Sequence, residues 1–193
     1  MSVFQTKPAR AESSISRRHF LRFGVVTAAA AMMPVPAFSA IHAAKQKTRK
    51  LNFYNLHTHE RLSVRYCLDG KYDPAALRRI NHILRDHRSG EAKPIDTRLL
   101  DLLHALSGQF KTGSPFHIIS GYRSPATNTK LRRKGRGVAS KSMHLLGKAI
   151  DIRLPGVNTR ALRDAAVEIE GGGVGYYAKS DFVHVDVGRV RFW

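Results

Sequence analysis

Three polar residues have the types and spacing that a metal centre needs. His144 and Asp151 lie seven positions apart, and His184 follows later in the chain. A catalytic zinc takes three protein ligands of imidazole or carboxylate type and keeps a fourth position for water. Two histidines and one aspartate supply such a set. The seven-residue offset is not the i, i+4 pair of one helical face. His144 must therefore sit on a loop that turns back ahead of a glycine, with Asp151 in the strand that follows and His184 in a strand able to pair beside it. The chain holds ten histidines, so spacing alone leaves open that each is an ordinary polar group.

The elements that would position these residues can be read from apolar periodicity and caps. Leu51 to His57 and Leu62 to Leu68 read as strands joined near Glu60-Arg61, with a turn at Asp69-Gly70. Asp73-Pro74 starts a helix expected to run to about Arg88, its apolar positions being Leu77, Ile80, Ile83 and Leu84. Asp96 caps a second helix, with Leu99, Leu100, Leu103 and Leu106 on its apolar face. Phe116 to Ile119 is a strand ending at Ser120-Gly121, and a short helix follows Ser124-Pro125. Lys130 to Arg136 reads as an exposed basic loop. Lys148 to Leu154 alternates as a strand, and Asn158 caps a helix through Ile169. A strand from the Gly171-Gly172-Gly173 run to Tyr177 and a last one from Phe182 to Val187 complete the series. Helices early and strands late, without a βαβ repeat, imply an α+β fold: a small, mainly antiparallel sheet flanked by helices.

Composition bounds the rest. The 193 residues suffice for one domain plus an appendage, and 42% hydrophobic content can build a core. A formal net charge of +19 favours a polyanionic partner. One cysteine, Cys67, excludes an intrachain disulfide and a CxxC site, and it reads as a core residue. Ser16-Arg17-Arg18-His19-Phe20-Leu21-Arg22 sets a twin arginine before an alanine-rich apolar stretch from Phe23 to Met33. Small residues at Ala37-Phe38-Ser39-Ala40 suit signal peptidase, so residues 1–39 read as a Tat export signal. The apolar run is too short to span a bilayer comfortably, and no stable membrane insertion of the mature protein is expected. Cleavage near Ser39 removes five basic residues against Glu12 and leaves about +15. Residues 40–49 then read as a basic linker and 50–193 as the folded domain.

Ser142-x-His144-x-x-Gly147-x-Ala149-x-Asp151, with the later His184 and the upstream Ser120-Gly121-Tyr122-Arg123-Ser124, resembles the lysostaphin, D-Ala-D-Ala carboxypeptidase and hedgehog group of zinc proteins. Tyr54-Asn55-Leu56-His57-Thr58, Arg136-Gly137-Val138-Ala139, Gly172 to Tyr177, Phe182 to Asp186 and Trp193 make it most similar to Tat-exported murein endopeptidases of the MepK (YcbK) type. The resemblance spans essentially the whole chain. It implies a periplasmic zinc enzyme acting on peptidoglycan cross-links, with His144, Asp151 and His184 as metal ligands. The bond implied is the L,D link between two diaminopimelate residues. A D,D-carboxypeptidase or D,D-endopeptidase, or a non-catalytic zinc-stabilised wall-binding module, are the alternatives. Arg123 is expected to hold a substrate carboxylate or developing oxyanion. Asp181, three residues before the last ligand, is favoured as general base. Asp186 is its rival, although strand alternation puts it on the face of His184, where it could orient that imidazole.

Two further signals carry less. His57 and His59 could share a metal, but the resemblance places no ligand there. The Lys130 to Arg136 run could contact nucleic acid, yet an export signal and the lack of a nucleic-acid motif argue against it. Anionic wall polymers suit this surface better.

Overall fold

The computed structural model describes residues 48–135 and 138–193; the export signal, most of the linker and Arg136-Gly137 lie outside the described residues. Alternating burial marks the first strands. β1 (Thr48–Asn55) turns Leu51, Phe53 and Asn55 inward, and β2 (Arg61–Leu68) turns Leu62, Val64 and Tyr66 inward. A register shift opposite Arg49 and Lys50 lets both Tyr66 and Cys67 bury, as a bulge does when it adds one residue to a strand. β1 begins two residues inside the span read as linker.

The remaining strands are β3 (Lys71–Tyr72), β4 (Phe116–Ser120), β5 (Ala149–Arg153), β6 (Gly173–Tyr177), β7 (Phe182–Asp186) and β8 (Arg191–Phe192). They form one sheet in the order β3-β2-β1-β4-β5-β7-β6-β8. Only β1–β4 and β6–β8 pair in parallel among the described residues, so the sheet is mainly antiparallel and the α+β class holds. It is larger than the small sheet expected. β3 and β8 add two-residue edge strands, and β8 displaces β7 as the last.

Four helices start at the caps read from the sequence. Asp73, Asp96, Ser124 and Asn158 each accept a hydrogen bond from an amide in the first turn of α1 (Pro74–Ile83), α2 (Thr97–Gly108), α3 (Pro125–Arg133) and α4 (Thr159–Ile169), respectively. α1 packs on β2, α2 on β1 and α4, and α4 on β6 and β7. Leu99, Leu100, Leu103 and Leu106 of α2 are fully buried, each contributing about 1.5–3 kcal/mol of apolar burial. Ile150 and Ile152 of β5 and Val183 and Val185 of β7 enter the same core. Their alternate neighbours, Asp151 and His184, therefore emerge on the other face of the sheet. No helix among the described residues is long and apolar enough to cross a membrane.

Two helix ends differ from expectation. α1 stops at Ile83 rather than near Arg88, because the Leu84 carbonyl accepts from Tyr122 N–H at 2.7 Å and draws the chain towards the loop after β4. α3 runs through Arg133, so Lys130 to Arg133 are helical, not loop. Lysine and arginine propagate helices well and suit a C-terminal turn.

Beyond Leu84 the chain winds around Asp86, which is buried. Its carboxylate accepts from the backbone amides of Ser124 (2.9 Å) and Arg88 (3.0 Å), and from the Thr127 hydroxyl. Burial opposes the charge, but these hydrogen bonds outweigh it and lower the pKa from 3.8 to about 2. This carboxylate ties the loop carrying Arg123 to the end of α1. Because its folded pKa lies below the unfolded one, its stabilisation is present above about pH 4 and lost as pH falls through 2. Asp86→Asn should destabilise the protein by about 2 kcal/mol at pH 7 in denaturant unfolding, with the gap to wild type closing as pH falls from 5 to 2. A gap that does not change with pH would show that the charge is not what holds the loop.

Candidate metal centre

β5 and β7 pair antiparallel with Asp151 directly opposite His184. The pairing alone brings their side chains to one place on one face. His144 arrives from a single 3-10 turn, Met143–Leu146, capped by the Ser142 side chain. Gly147 ends that turn at φ 65°, a left-handed conformation that glycine adopts without cost. There the Gly147 carbonyl accepts from Asp96 N–H, which anchors the turn to the start of α2.

The three side chains converge. His144 Nε2 lies 3.2 Å from Asp151 Oδ1 and 3.2 Å from His184 Nδ1, and His184 Nδ1 lies 2.8 Å from Asp151 Oδ1. All three residues are buried. Hydrogen bonds on the far sides of the rings decide where the protons are. His144 Nδ1 donates to the Gly121 carbonyl at 2.7 Å, so its Nε2 presents a lone pair. His184 Nε2 donates to Asp186 Oδ2 at 2.9 Å, so in the neutral ring its Nδ1 presents a lone pair too. Two imidazole lone pairs and a carboxylate aimed at one point repel one another unless a cation lies between them. The donor set therefore fits a divalent metal with nitrogen and oxygen preference.

Charges around the cluster support this. Burial works against an ionised Asp151, but His144 and His184 outweigh it and hold the carboxyl well below the usual range. Burial pushes the His144 pKa down, which favours the neutral imidazole a ligand must be. His184 runs the other way: burial acts against its charged form, but its contacts with Asp151 and Asp186 prevail and raise its pKa, so a metal must displace a proton from this ring.

Asp186 is wholly buried behind His184. Beyond the imidazole it accepts from the amides of Gly173 (3.2 Å) and Gly188 (2.8 Å) and from Arg191 (Nη1 3.1 Å, Nη2 2.6 Å). Burial opposes its charge, and the bonds from His184 and Arg191 keep it ionised. Saturated in this way, it acts on the imidazole and has no oxygen left for the cavity.

A cavity of about 350 Å³ opens over the cluster, with Arg123, Lys141, Tyr177, Phe182 and Trp193 among its walls. Arg123 is buried, with Nη2 3.3 Å from Ser120 Oγ and 3.6 Å from Asp151 Oδ2, while its Nε has no partner. Burial lowers its pKa, offset in part by Asp151. A guanidinium in the cavity wall is suited to an incoming carboxylate or carbonyl oxygen.

The structure does not bring Asp181 into this cavity. It sits in a left-handed turn (φ 51°) before β7, accepts from Thr159 Oγ1 at 2.8 Å and pairs with Arg153 Nη1 at 3.4 Å. His57 and His59 do not form a pair on one strand face. Both lie in the turn after β1: His57 Nε2 contacts the Ile119 carbonyl and stacks on His87, while His59 Nδ1 contacts the Tyr54 hydroxyl. Cys67 is buried in the core. A larger concavity of about 560 Å³ along α3 is lined by basic and small residues and holds no histidine or carboxylate.

Sequence reading did not single out Tyr177, Trp193, Arg191 or Lys141 as site residues. The signal available for the first two was weak: an aromatic residue at the end of β6 and another beyond β8, neighbours only through strand pairing. Gly175 pairs with His184 and has no side chain, and a Cβ there would lie 2.5 Å from the Trp193 ring. That gap lets Trp193 lean over His184, with ring centroids 5.3 Å apart.

The fold and this centre define a metallopeptidase. A family model described as peptidoglycan L,D-endopeptidase MepK matches residues 43–193, and a model of the twin-arginine translocation signal matches residues 14–34. Peptidoglycan L,D-endopeptidase MepK of Escherichia coli K12 is 42% identical over 179 residues, 92% of this chain and 97% of that protein. The probable peptidoglycan L,D-endopeptidase MepK of Haemophilus influenzae is 35% identical, covering 92% of this chain and 95% of its own. The chain belongs to this MepK peptidase family and carries a Tat export signal.

Asp186→Ala should weaken metal binding about 10- to 100-fold in competition with a chelator, since it frees the His184 ring and leaves Arg191 unpaired. Unchanged affinity would mean that the β5–β7 pairing alone fixes the imidazole.

Proposed function

We propose that this protein is a zinc-dependent peptidoglycan L,D-endopeptidase of the periplasm, cutting the link between two diaminopimelate residues, with His144, Asp151 and His184 as the metal ligands. The observation that carries the reading is the convergence of two imidazole nitrogens and a carboxylate oxygen beneath a cavity whose wall holds a buried arginine. The L,D-endopeptidase activity named for both relatives supports the substrate. The Tat signal, matched over residues 14–34, supports the compartment, and the small residues around Ser39 support cleavage there.

Zinc in such a set polarises a carbonyl and provides a nucleophile near neutral pH. The protein's own residues do the remainder. His144 and His184 are held by Gly121 and Asp186 in the tautomers that turn lone pairs inward. Arg123, whose side chain lines the cavity, takes an anionic substrate group or the developing oxyanion. Lys141 adds a second cation to the wall, complementary to the carboxylates of diaminopimelate stems. Asp186 is a positioning residue. Asp181 can accept a proton from the reaction only after leaving Thr159 and Arg153.

Digestion of a defined muropeptide dimer joined by the L,D link, followed by mass analysis, tests the reading. Metal-loaded protein should release the monomers, and chelated protein should not. Cleavage only of D,D-linked dimers would reassign the bond, and no cleavage at any metal loading would leave a wall-binding module. In the same assay Asp181→Asn should keep kcat within about threefold of wild type, because its carboxylate is engaged outside the cavity. A loss of about a hundredfold would restore Asp181 as the general base.

A further inference from the structure

The cavity wall carries a phenol whose oxygen is already engaged as an acceptor. Trp193 Nε1–H donates to Tyr177 Oη at 3.0 Å. An indole nitrogen can only donate, so the phenol uses a lone pair on this bond and its own hydrogen must point elsewhere. That hydrogen has no acceptor among the described residues, and Tyr177 lines the cavity over the metal centre. The ring is held from the other side by stacking on Phe182, with centroids 4.5 Å apart and planes 15° apart. Trp193 is positioned in turn by β-type hydrogen bonds with Val174 and Tyr176, by the gap at Gly175 and by Arg191 over its ring.

We propose that Tyr177 is a catalytic residue of the peptidase reaction: its phenolic hydrogen, aimed by Trp193, hydrogen-bonds the oxygen of the scissile carbonyl and strengthens that bond as the oxygen gains negative charge. The inference rests on the peptidase reading above. No proton is transferred; the phenol stays protonated, and the indole N–H polarises the O–H so that it donates better than an isolated phenol. With Arg123 on the same cavity wall, the oxygen would meet a neutral and a cationic donor, both prepositioned before charge develops. Trp193 is a positioning residue that acts through Tyr177.

Tyr177→Phe keeps the ring on Phe182 and removes only the hydroxyl. Its kcat on the L,D-linked dimer should fall about a hundredfold with KM within about threefold, and its metal content should equal that of wild type. Binding of a phosphinate analogue of the tetrahedral intermediate should weaken by a similar factor, whereas binding of the product peptides should not change. Trp193→Phe, which keeps an aromatic ring beside His184 but loses the N–H, should lower kcat about three- to tenfold. A Tyr177→Phe enzyme with kcat within about threefold of wild type, or one altered in KM alone, overturns the proposal. Equal weakening of product and phosphinate binding does so as well, by reducing Tyr177 to a substrate contact. Failure of wild type to cut the dimer would remove the peptidase reading and the role of Tyr177 with it, an outcome distinct from loss of the Tyr177 effect alone.

Discussion

Register between β5 and β7 is the constraint on which the site depends. Asp151 faces His184 across one antiparallel step, and Ile150 and Ile152 face Val185 and Val183 in the core. A slip of β5 by one residue would turn Ile150 and Ile152 towards the cavity and the Asp151 carboxylate into the core, and a slip of β7 would do the same to Val183, Val185 and His184. Each misplaced apolar side chain costs about 1.5–3 kcal/mol, and burying unpaired ionisable groups costs more. The same hydrophobic alternation that stabilises the sheet thus sets the geometry of the metal centre.

Around that pairing, each imidazole of the cluster is fixed from behind by a group outside it. The Gly121 carbonyl and the Asp186 carboxylate select the two tautomers, and Arg191 with two backbone amides keeps Asp186 ionised. Asp86 acts one step further out, holding the loop that supplies both the Gly121 carbonyl and Arg123. An ionised buried carboxylate costs stability unless it is fully hydrogen-bonded. The chain meets that condition at Asp86 and Asp186, which lie on either side of the cluster.

Local chemistry was the legible part of the fold. Four N-caps mark the four helix starts, because a side-chain oxygen one residue ahead of an amphipathic run acts within one turn. Features that depend on remote partners were not legible. α1 ends at Leu84 because of an amide thirty-eight residues away, and β3 and β8 are too short to show a period and exist through their neighbours. Lys130 to Arg133 read as loop because charge hid good helix formers. In the site, the offset that makes Asp181 attractive ignores the left-handed turn at that residue, which carries the carboxylate towards α4. The Tyr177–Trp193 contact joins residues sixteen apart by way of β8 and a glycine gap, neither of which a motif describes.

The charge of the cavity follows from the same arrangement. Among the described residues no acidic side chain but Asp151, which faces the cluster, lines the cavity, while Arg123 and Lys141 contribute positive charge. A free carboxylate 5 Å from a substrate carboxylate would repel it by about 3 kcal/mol at an effective dielectric near 20, more than a hundredfold in affinity. Peptide stems bearing diaminopimelate carboxylates would bring such charges close to the scissile bond. A site that must admit them gains by keeping Asp181 outside and by drawing its remaining hydrogen-bond donors from a guanidinium and a phenol. The distribution of carboxylates and the choice of anionic substrate then express a single electrostatic requirement, and the excess of basic residues in the chain extends it beyond the cavity.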